Sequence, residues 1–171
     1  IEPKSYKVID PSNEEPCAEI SLGGKKDVDK AVSAAKKAFE TWAFSKKEER
    51  LELLEKLYVV YKKRWAEMAK LISTEMGAPM KFSTQMQAAT GASHIKSFKN
   101  ILKDFKFEKD LGEEKNNQKL LYEPKGVCAL ITPWNWPINQ VNLKVIPALA
   151  SACTIVLKPS EIAPLSSMLL A

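Results

Sequence analysis

The sequence predicts an α/β fold in which N-terminal helices lead into the first βαβ unit of a doubly wound parallel sheet. Two observations support this prediction. Residues 1–125 contain 44 of the 47 charged side chains, whereas residues 126–171 contain only Lys144, Lys158 and Glu161. The apolar second part has two continuous hydrophobic runs separated by a helical stretch, which is typical of parallel strands buried on both faces.

The two hydrophobic runs cover residues 126–132 and 153–157. Between them, residues 138–151 are predicted to form a helix in which Pro147 indicates a kink or an early end. A further helix begins at Pro164, since proline is favoured in a first helical turn. Because a parallel sheet of two strands is too small to form a domain, we expect the chain to be a truncated part of a larger fold.

The N-terminal part is predicted to begin with a short β-hairpin. Residues 6–9 and 17–22 form the two strands, with turn-forming proline, serine and asparagine between them. A helix follows, with Asp27 as its N-cap and apolar residues at helical spacing along one face.

Two further helices are predicted before the apolar part. A capping box at residues 45–48 opens a long helix that ends at Gly77, a natural left-handed residue after a helix. A third helix covers about residues 82–103, and its inward positions are expected to be Met86, Ala89, Phe98, Ile101 and Leu102. Residues 106–118 are polar and turn-rich, and a strand is expected over 119–123.

Composition and charge exclude several functional classes. Three scattered cysteines and the single histidine, His94, provide neither a disulfide framework nor a metal site, and we interpret His94 as structural or exposed. The net charge of +5 comes from interleaved basic and acidic residues, so we expect no nucleic-acid partner. No apolar run has transmembrane length and no secretion signal opens the sequence, so we expect no membrane association and a cytoplasmic location.

Two loops follow the predicted parallel strands, at residues 132–137 and 158–161, and ligands of open parallel sheets bind beyond such carboxyl ends. No glycine-rich G-x-G-x-x-G phosphate loop is present. Lys158 can donate to ligand hydroxyls or phosphates, and Glu161 can accept from ribose hydroxyls while repelling a 2′-phosphate, which favours NAD over NADP. The spacing is equally compatible with a simple surface ion pair beside a helix N-terminus.

Asn135 lies between two rigid, aromatic shoulders, Pro133-Trp134 and Trp136-Pro137. An amide in a loop from which indole rings exclude water can donate to a developing oxyanion. The residues alone slightly favour a simpler interpretation, an asparagine that closes its own turn.

Residues 126–137 (GVCALITPWNWP), 144–149 (KVIPAL) and 153–161 (CTIVLKPSE) together resemble the NAD(P)-dependent aldehyde dehydrogenase superfamily. Upstream segments resemble it too, including VIDP at 8–11 and EMGAP at 75–79. The resemblance covers nearly all of the chain in one order. It implies a Rossmann-like cofactor domain divided into a hairpin and helical part (1–118), the start of a strand region through which subunits associate (119–125), and the first βαβα of the sheet (126–171).

The resemblance also implies roles for individual residues. Asn135 matches the family's catalytic amide, which stabilises the thiohemiacetal oxyanion. Trp136 and Gln140 match residues that line the aldehyde tunnel. The positions that match cofactor contacts are Ile131, Thr132, Pro133, Trp134, Lys158, Ser160 and Glu161. A homodimer or homotetramer is expected.

The implied activity is oxidation of an aldehyde to a carboxylic acid through a cysteine thiohemiacetal and thioester, with NAD as cofactor. The family's nucleophilic cysteine and general-base glutamate match no residue of this chain. Cys128 and Cys153 fall in predicted buried strands, where thiols are inert, and Cys17 falls in the hairpin. We therefore expect the chain alone to be inactive. The alternatives are a non-catalytic dinucleotide-binding or assembly module, a CoA-acylating aldehyde dehydrogenase, and a helical interaction protein, which the apolar strands disfavour.

Overall fold

The structure, a computed structural model, describes residues 4–112 and 118–171. The first part has a hairpin and a series of helical segments: β1 (Lys4–Asp10), β2 (Glu15–Leu22), α1 (Lys25–Trp42), α2 (Lys47–Lys63), α3 (Trp65–Met76), α4 (Met80–Phe82), a π-helical turn (Ser83–Gln87) and α5 (Ala88–Asp104). The second part alternates strands and helices: β3 (Glu108–Asp110), β4 (Lys119–Leu121), β5 (Val127–Ile131), α6 (Pro137–Ala150), β6 (Thr154–Lys158) and α7 (Leu165–Leu170).

The predicted parallel pair is confirmed. β5 and β6 pair in parallel, from Val127 opposite Thr154 to Ile131 opposite Lys158, and α6 connects them. β1 and β2 form the predicted antiparallel hairpin. Part of the segment predicted as turn-rich forms β3, which pairs antiparallel with β4, while residues 113–117 of that segment lie outside the described residues.

The expectation that both faces of these strands are buried is wrong for β5. Leu130 is buried, but Ala129 is exposed and the Ile131 side chain is 70% exposed. Ala129 and Ile131 point to the same face of the two-stranded sheet, because side chains alternate along a strand, and that face of β5 is exposed.

The first two helices begin at different residues from those predicted. Gly24, not Asp27, is the N-cap of α1, and the Asp27 carboxylate accepts the backbone N–H of Gly24 at 2.9 Å. The second helix begins one residue later than expected, because Lys46 takes the extended backbone of an N-cap and donates its N–H to Glu49 at 2.6 Å. In both cases the carboxylate of the third helical residue accepts the N–H of the N-cap, which is one half of a capping box, and the N-cap side chain accepts no N–H in return.

The long second helix is divided at Arg64, whose backbone (φ −98°, ψ 14°) leaves the helical region. Neither glycine nor proline marks this break. The Arg64 guanidinium instead pairs with the Glu67 carboxylate through two contacts of 2.9 Å. The predicted end at Gly77 is confirmed, since its φ of +71° is left-handed and its N–H donates to the Ser73 carbonyl.

The inward face of the third helix differs from the prediction at two positions. Met86 is 49% exposed because it lies in the π-helical turn, where an extra residue per turn shifts the face that looks inward. Ile101 is 57% exposed because it lies beside the buried stripe rather than on it. The buried positions of α5 are Ala88, Gly91, Ala92, Ile95 and Leu102.

The core joins α2, α5 and α6 at a point of close approach. The Tyr61 hydroxyl donates to the Ala88 carbonyl at 2.8 Å, and the Asn142 amide donates to the Gly91 carbonyl at 2.9 Å. Gly91 has no Cβ, and a Cβ there would overlap the Tyr61 hydroxyl and lie 2.9 Å from its ring carbon Cζ. The three helices pack this closely because residue 91 has no side chain.

Three polar contacts fix α6 and β6 against the preceding helices. The buried Arg50 guanidinium donates to the Ala150 carbonyl at 2.8 Å, at the end of α6. α6 continues past Pro147 to this residue and does not end early. His94 Nε2 lies 2.8 Å from Asn139 Oδ1, a structural contact between α5 and α6. The Thr154 hydroxyl donates to the Ala35 carbonyl of α1 at 2.9 Å.

None of the helices formed by residues 4–112 and 118–171 combines the length and the hydropathy that crossing a membrane requires.

Gly91→Ala is expected to destabilise the fold by about 1–3 kcal/mol, the range for overpacking a close contact. On an exposed helical surface the same change would stabilise the helix by up to about 1 kcal/mol, so a loss isolates the packing effect. Urea denaturation measures the free energy of unfolding. Ser93→Ala, on the exposed side of the same helix, is the control. Equal stability of Gly91→Ala and the native chain would contradict the close-approach interpretation.

Candidate functional site

The two loops at the carboxyl ends of β5 and β6 lie side by side, as predicted. Ile131 is opposite Lys158 in the strand register, and the Thr132 N–H donates to the Lys158 carbonyl at 3.3 Å. Through this hydrogen bond the pairing continues one residue into the first loop, where Thr132 is 5% exposed. Residues 132–137 and 158–161 therefore begin at neighbouring points of one sheet edge.

The second loop presents an ion pair to solvent. Lys158 Nζ lies 2.6 Å from Glu161 Oε2, and the two side chains are 62% and 40% exposed. The hydrogen bond from Lys158 lowers the pKa of Glu161, with a smaller contribution from a backbone hydrogen bond. Ser160 accepts the Ile162 N–H at 3.3 Å and stabilises the turn that contains Glu161. A cationic donor and an ionised acceptor are thus accessible together.

The first loop presents Pro133, Trp134 and Asn135, which are all exposed. The next residue, Trp136, is half-buried and is the N-cap of α6 in a left-handed conformation (φ 54°, ψ 54°). A bulky residue is strained in this region of the backbone, and residues with strained backbones concentrate at functional sites. The left-handed conformation of Trp136 sets the direction in which the chain passes from the loop into α6.

Phe82 holds the Trp136 ring in place. The two rings pack edge to face, with centroids 5.4 Å apart and planes at 81°. Gln140 lies one helical turn beyond Trp136, and its N–H donates to the Trp136 carbonyl at 3.0 Å. The sequence analysis did not single out Phe82 as a site residue. Its only signal in the sequence is an aromatic side chain after Pro79, which does not indicate a partner 54 positions away.

The cysteines do not add a reactive thiol to this edge. Cys153 is 4% exposed and Cys128 is half-buried, and burial raises the pKa of Cys128. Cys17 is exposed in the hairpin, and desolvation raises its pKa as well. Among the described residues, no three metal-ligating side chains of the histidine, cysteine or carboxylate type lie together.

A sequence profile of the aldehyde dehydrogenase family matches residues 1–171, and the chain belongs to this family. It is 47% identical over 169 residues to the 3-succinoylsemialdehyde-pyridine dehydrogenase of a Pseudomonas species, a match that covers 98% of this chain and 35% of that one.

Solved structures agree with this assignment. An aldehyde dehydrogenase from Bartonella henselae superposes with a TM-score of 0.96 at 56% identity, over 98% of this chain and 35% of that one. A mutant of aldehyde dehydrogenase C from Pseudomonas syringae, crystallised with NAD⁺ and octanal, superposes with a TM-score of 0.95 at 40% identity, over 99% of this chain and 34% of that one. The chain thus spans about a third of the length of these relatives and matches their N-terminal portion.

Lys158→Gln is expected to raise the pKa of the Glu161 carboxyl back toward its ordinary value, because the hydrogen bond from Lys158 is the largest cause of its lowering. A carbon-detected NMR titration of the side-chain carboxyl measures this pKa directly. Lys81→Gln, an exposed lysine on α4, should leave it unchanged. A Glu161 pKa that is the same in Lys158→Gln and the native chain would show that the ion pair does not persist in solution.

Proposed function

We propose that this chain is the cofactor-binding start of an enzyme that oxidises an aldehyde to a carboxylic acid with NAD as the hydride acceptor. The observation that carries the proposal is the position of the Lys158–Glu161 pair beside Thr132, at the carboxyl edge of a parallel sheet. Family membership supports the reaction class, and the neighbour crystallised with NAD⁺ supports the cofactor.

The residues at this edge fit a dinucleotide. Glu161 can accept hydrogen bonds from the adenosine ribose hydroxyls while Lys158 donates to them, and Ser160 lies between the two. Ile131 is 70% exposed next to this charged pair, so an apolar surface for a purine ring adjoins the polar contacts. Thr132 is buried, so among the predicted loop contacts the exposed Pro133 and Trp134 are the side chains that would reach the ribose and pyrophosphate. The carboxylate of Glu161 would repel a 2′-phosphate, so NAD is preferred over NADP.

Asn135 supplies the catalytic contribution of this chain. When a thiolate attacks the aldehyde carbonyl, negative charge develops on the carbonyl oxygen, and the Asn135 amide donates a hydrogen bond to it. The expectation that the neighbouring indoles exclude water from Asn135 is wrong for this chain, since Asn135 is exposed and Trp134 is 49% exposed. Water would have to be excluded from this interaction by the part of the family's length that this chain does not span. NAD, held by Lys158 and Glu161, would supply the hydride acceptor for the oxidation. The thiol and the general base come from the part of the family's length that this chain does not span.

The substrate side is aromatic. Phe82 and Trp136 form one wall, and Gln140 lies one turn deeper along α6. Such a wall favours an aldehyde with an apolar or aromatic body, or a cationic one that packs against the rings. The name of the Pseudomonas relative refers to a pyridine compound, and the P. syringae structure contains octanal. Both are consistent with a preference for aldehydes that have an apolar or aromatic body.

Assembly into a homo-oligomer is expected through the strand region that begins at β4. Leu120, Leu121 and Tyr122 are 41%, 59% and 42% exposed in succession, a run of apolar surface that subunit association would bury.

Asn135→Ala in the complete enzyme is expected to lower kcat about 100- to 1000-fold, the effect of removing one oxyanion donor. NADH absorbance with a panel of short apolar and aromatic aldehydes measures the rate. NADH formation in the absence of CoA distinguishes the hydrolytic reaction from the CoA-acylating one. Asn100→Ala, on the exposed surface of α5, is the matched control and should retain full activity. Residues 1–171 alone should form no NADH. An unchanged kcat in Asn135→Ala would refute the oxyanion role of Asn135. NADH formation by residues 1–171 alone would refute the expectation that this chain is inactive by itself.

Glu161→Ser in the complete enzyme is expected to raise the ratio of kcat/KM for NADP to that for NAD, because it removes the carboxylate that repels a 2′-phosphate. Steady-state kinetics with both cofactors measures the ratio. Glu52→Ser is a suitable control, since Glu52 forms a comparable exposed ion pair with Lys56 at 2.6 Å, far along the chain from this loop. If both variants leave the ratio unchanged, Glu161 does not contact the ribose.

A further inference from the structure

Glu75, near the end of α3, is a buried carboxylate that the proposed chemistry does not use. It is 2% exposed, and its two oxygens accept the backbone N–H groups of Leu165 and Ser166, the second at 3.1 Å. These are the first two residues of α7, which lies 90 positions further along the chain. Among the described residues, no lysine or arginine forms an ion pair with Glu75.

This arrangement is energetically demanding. Burial raises the pKa of Glu75, and hydrogen bonds from Ser166 and from the Leu165 N–H compensate only in part. A buried carboxylate without a cation is costly because burial removes its hydration. A serine or aspartate N-cap would bond an N–H of the first turn locally, without burying a charge. The N-cap of α7 is Pro164, which has no side-chain acceptor. The first two N–H groups of α7 are therefore bonded by a side chain of another helix, α3.

The contact fixes one end of the loop that carries Ser160 and Glu161. At its first end, Lys158 is held by strand pairing with β5. At its second end, the chain enters α7 at Leu165, where Glu75 accepts the N–H. Between these two points the ion pair of Lys158 and Glu161 is exposed, so its position relative to the sheet edge depends on where both ends are anchored.

We propose that Glu75 is a positioning residue for the loop that carries Ser160 and Glu161. It accepts the N–H groups of Leu165 and Ser166 and so holds Glu161 where it can contact the adenosine ribose. The inference rests on the proposed function, because it requires that this loop binds NAD. It assigns Glu75 no contact with the cofactor. Its effect on NAD passes entirely through the backbone of α7.

The test uses Glu75→Gln in the complete enzyme. Glutamine keeps the size of the side chain, but its NH₂ group cannot accept the second N–H, so one end of the loop loses a charge-assisted hydrogen bond. Calorimetric titration with NAD and with ADP-ribose should show about fivefold weaker binding of both, the effect of one such bond. KM for NAD should rise while kcat is unchanged, because Asn135 is untouched.

Ser73→Ala is the matched control. The Ser73 hydroxyl donates to the Ala78 carbonyl at 2.7 Å at the same end of α3, without touching α7. Its loss should lower the melting temperature and leave NAD binding unchanged. If Glu75→Gln behaves in the same way, Glu75 is a structural residue and the inference is wrong. If Glu75→Gln does not yield folded protein, Glu75→Asp, which keeps the charge but is one methylene shorter, must show the same selective loss of NAD and ADP-ribose binding.

Glu161→Ser in the same titration separates the two proposals. Weaker NAD binding in Glu161→Ser together with unchanged binding in Glu75→Gln would overturn the positioning role alone. Unchanged NAD binding in Glu161→Ser would show that the loop does not hold the cofactor, and the inference would fall with the proposed function.

Discussion

The parallel pairing of β5 with β6 is the constraint on which the candidate site depends. Its register places Ile131 opposite Lys158 and brings the Thr132 N–H to the Lys158 carbonyl. Two loops that are distant in sequence therefore leave the sheet at adjacent points. A shift of one residue in this register would turn every side chain of β6 to the opposite face and separate the loops. This register in turn requires that α6, which connects β5 to β6, is held in a fixed position against the sheet.

The helices that precede the sheet determine the position of α6. Close packing at Gly91 is possible only without a Cβ, and Asn142 bonds α6 to the backbone there. At the other end, the Arg50 guanidinium donates to the Ala150 carbonyl and also lies 4.5 Å from the centre of the Phe107 ring. The charged, amphipathic part of the chain thus acts as a support for its apolar part. This division explains why the two parts differ so strongly in composition.

Two unfavourable features lie at the ends of the site loops. Trp136 adopts a left-handed backbone where the first loop enters α6, and Glu75 is a buried carboxylate where the second loop enters α7. Each is compensated by a specific contact, the Phe82 ring for Trp136 and two backbone N–H groups for Glu75. Local rules of propensity and burial are commonly violated where a protein must hold a ligand-binding segment in one conformation. Both features set the direction of a loop rather than add core stability.

The sequence by itself determined the α/β class, the parallel strands, the two loops and the end of α3 at Gly77, because hydrophobic periodicity and glycine conformation act over a few residues. It did not determine the break at Arg64 or the π-helical turn that exposes Met86, since both depend on how neighbouring helices pack. The partners of Trp136 and of the α7 amides, Phe82 and Glu75, were also decided only by the tertiary structure. No local pattern encodes a contact between residues 54 or 90 positions apart, and only the packed fold brings them together.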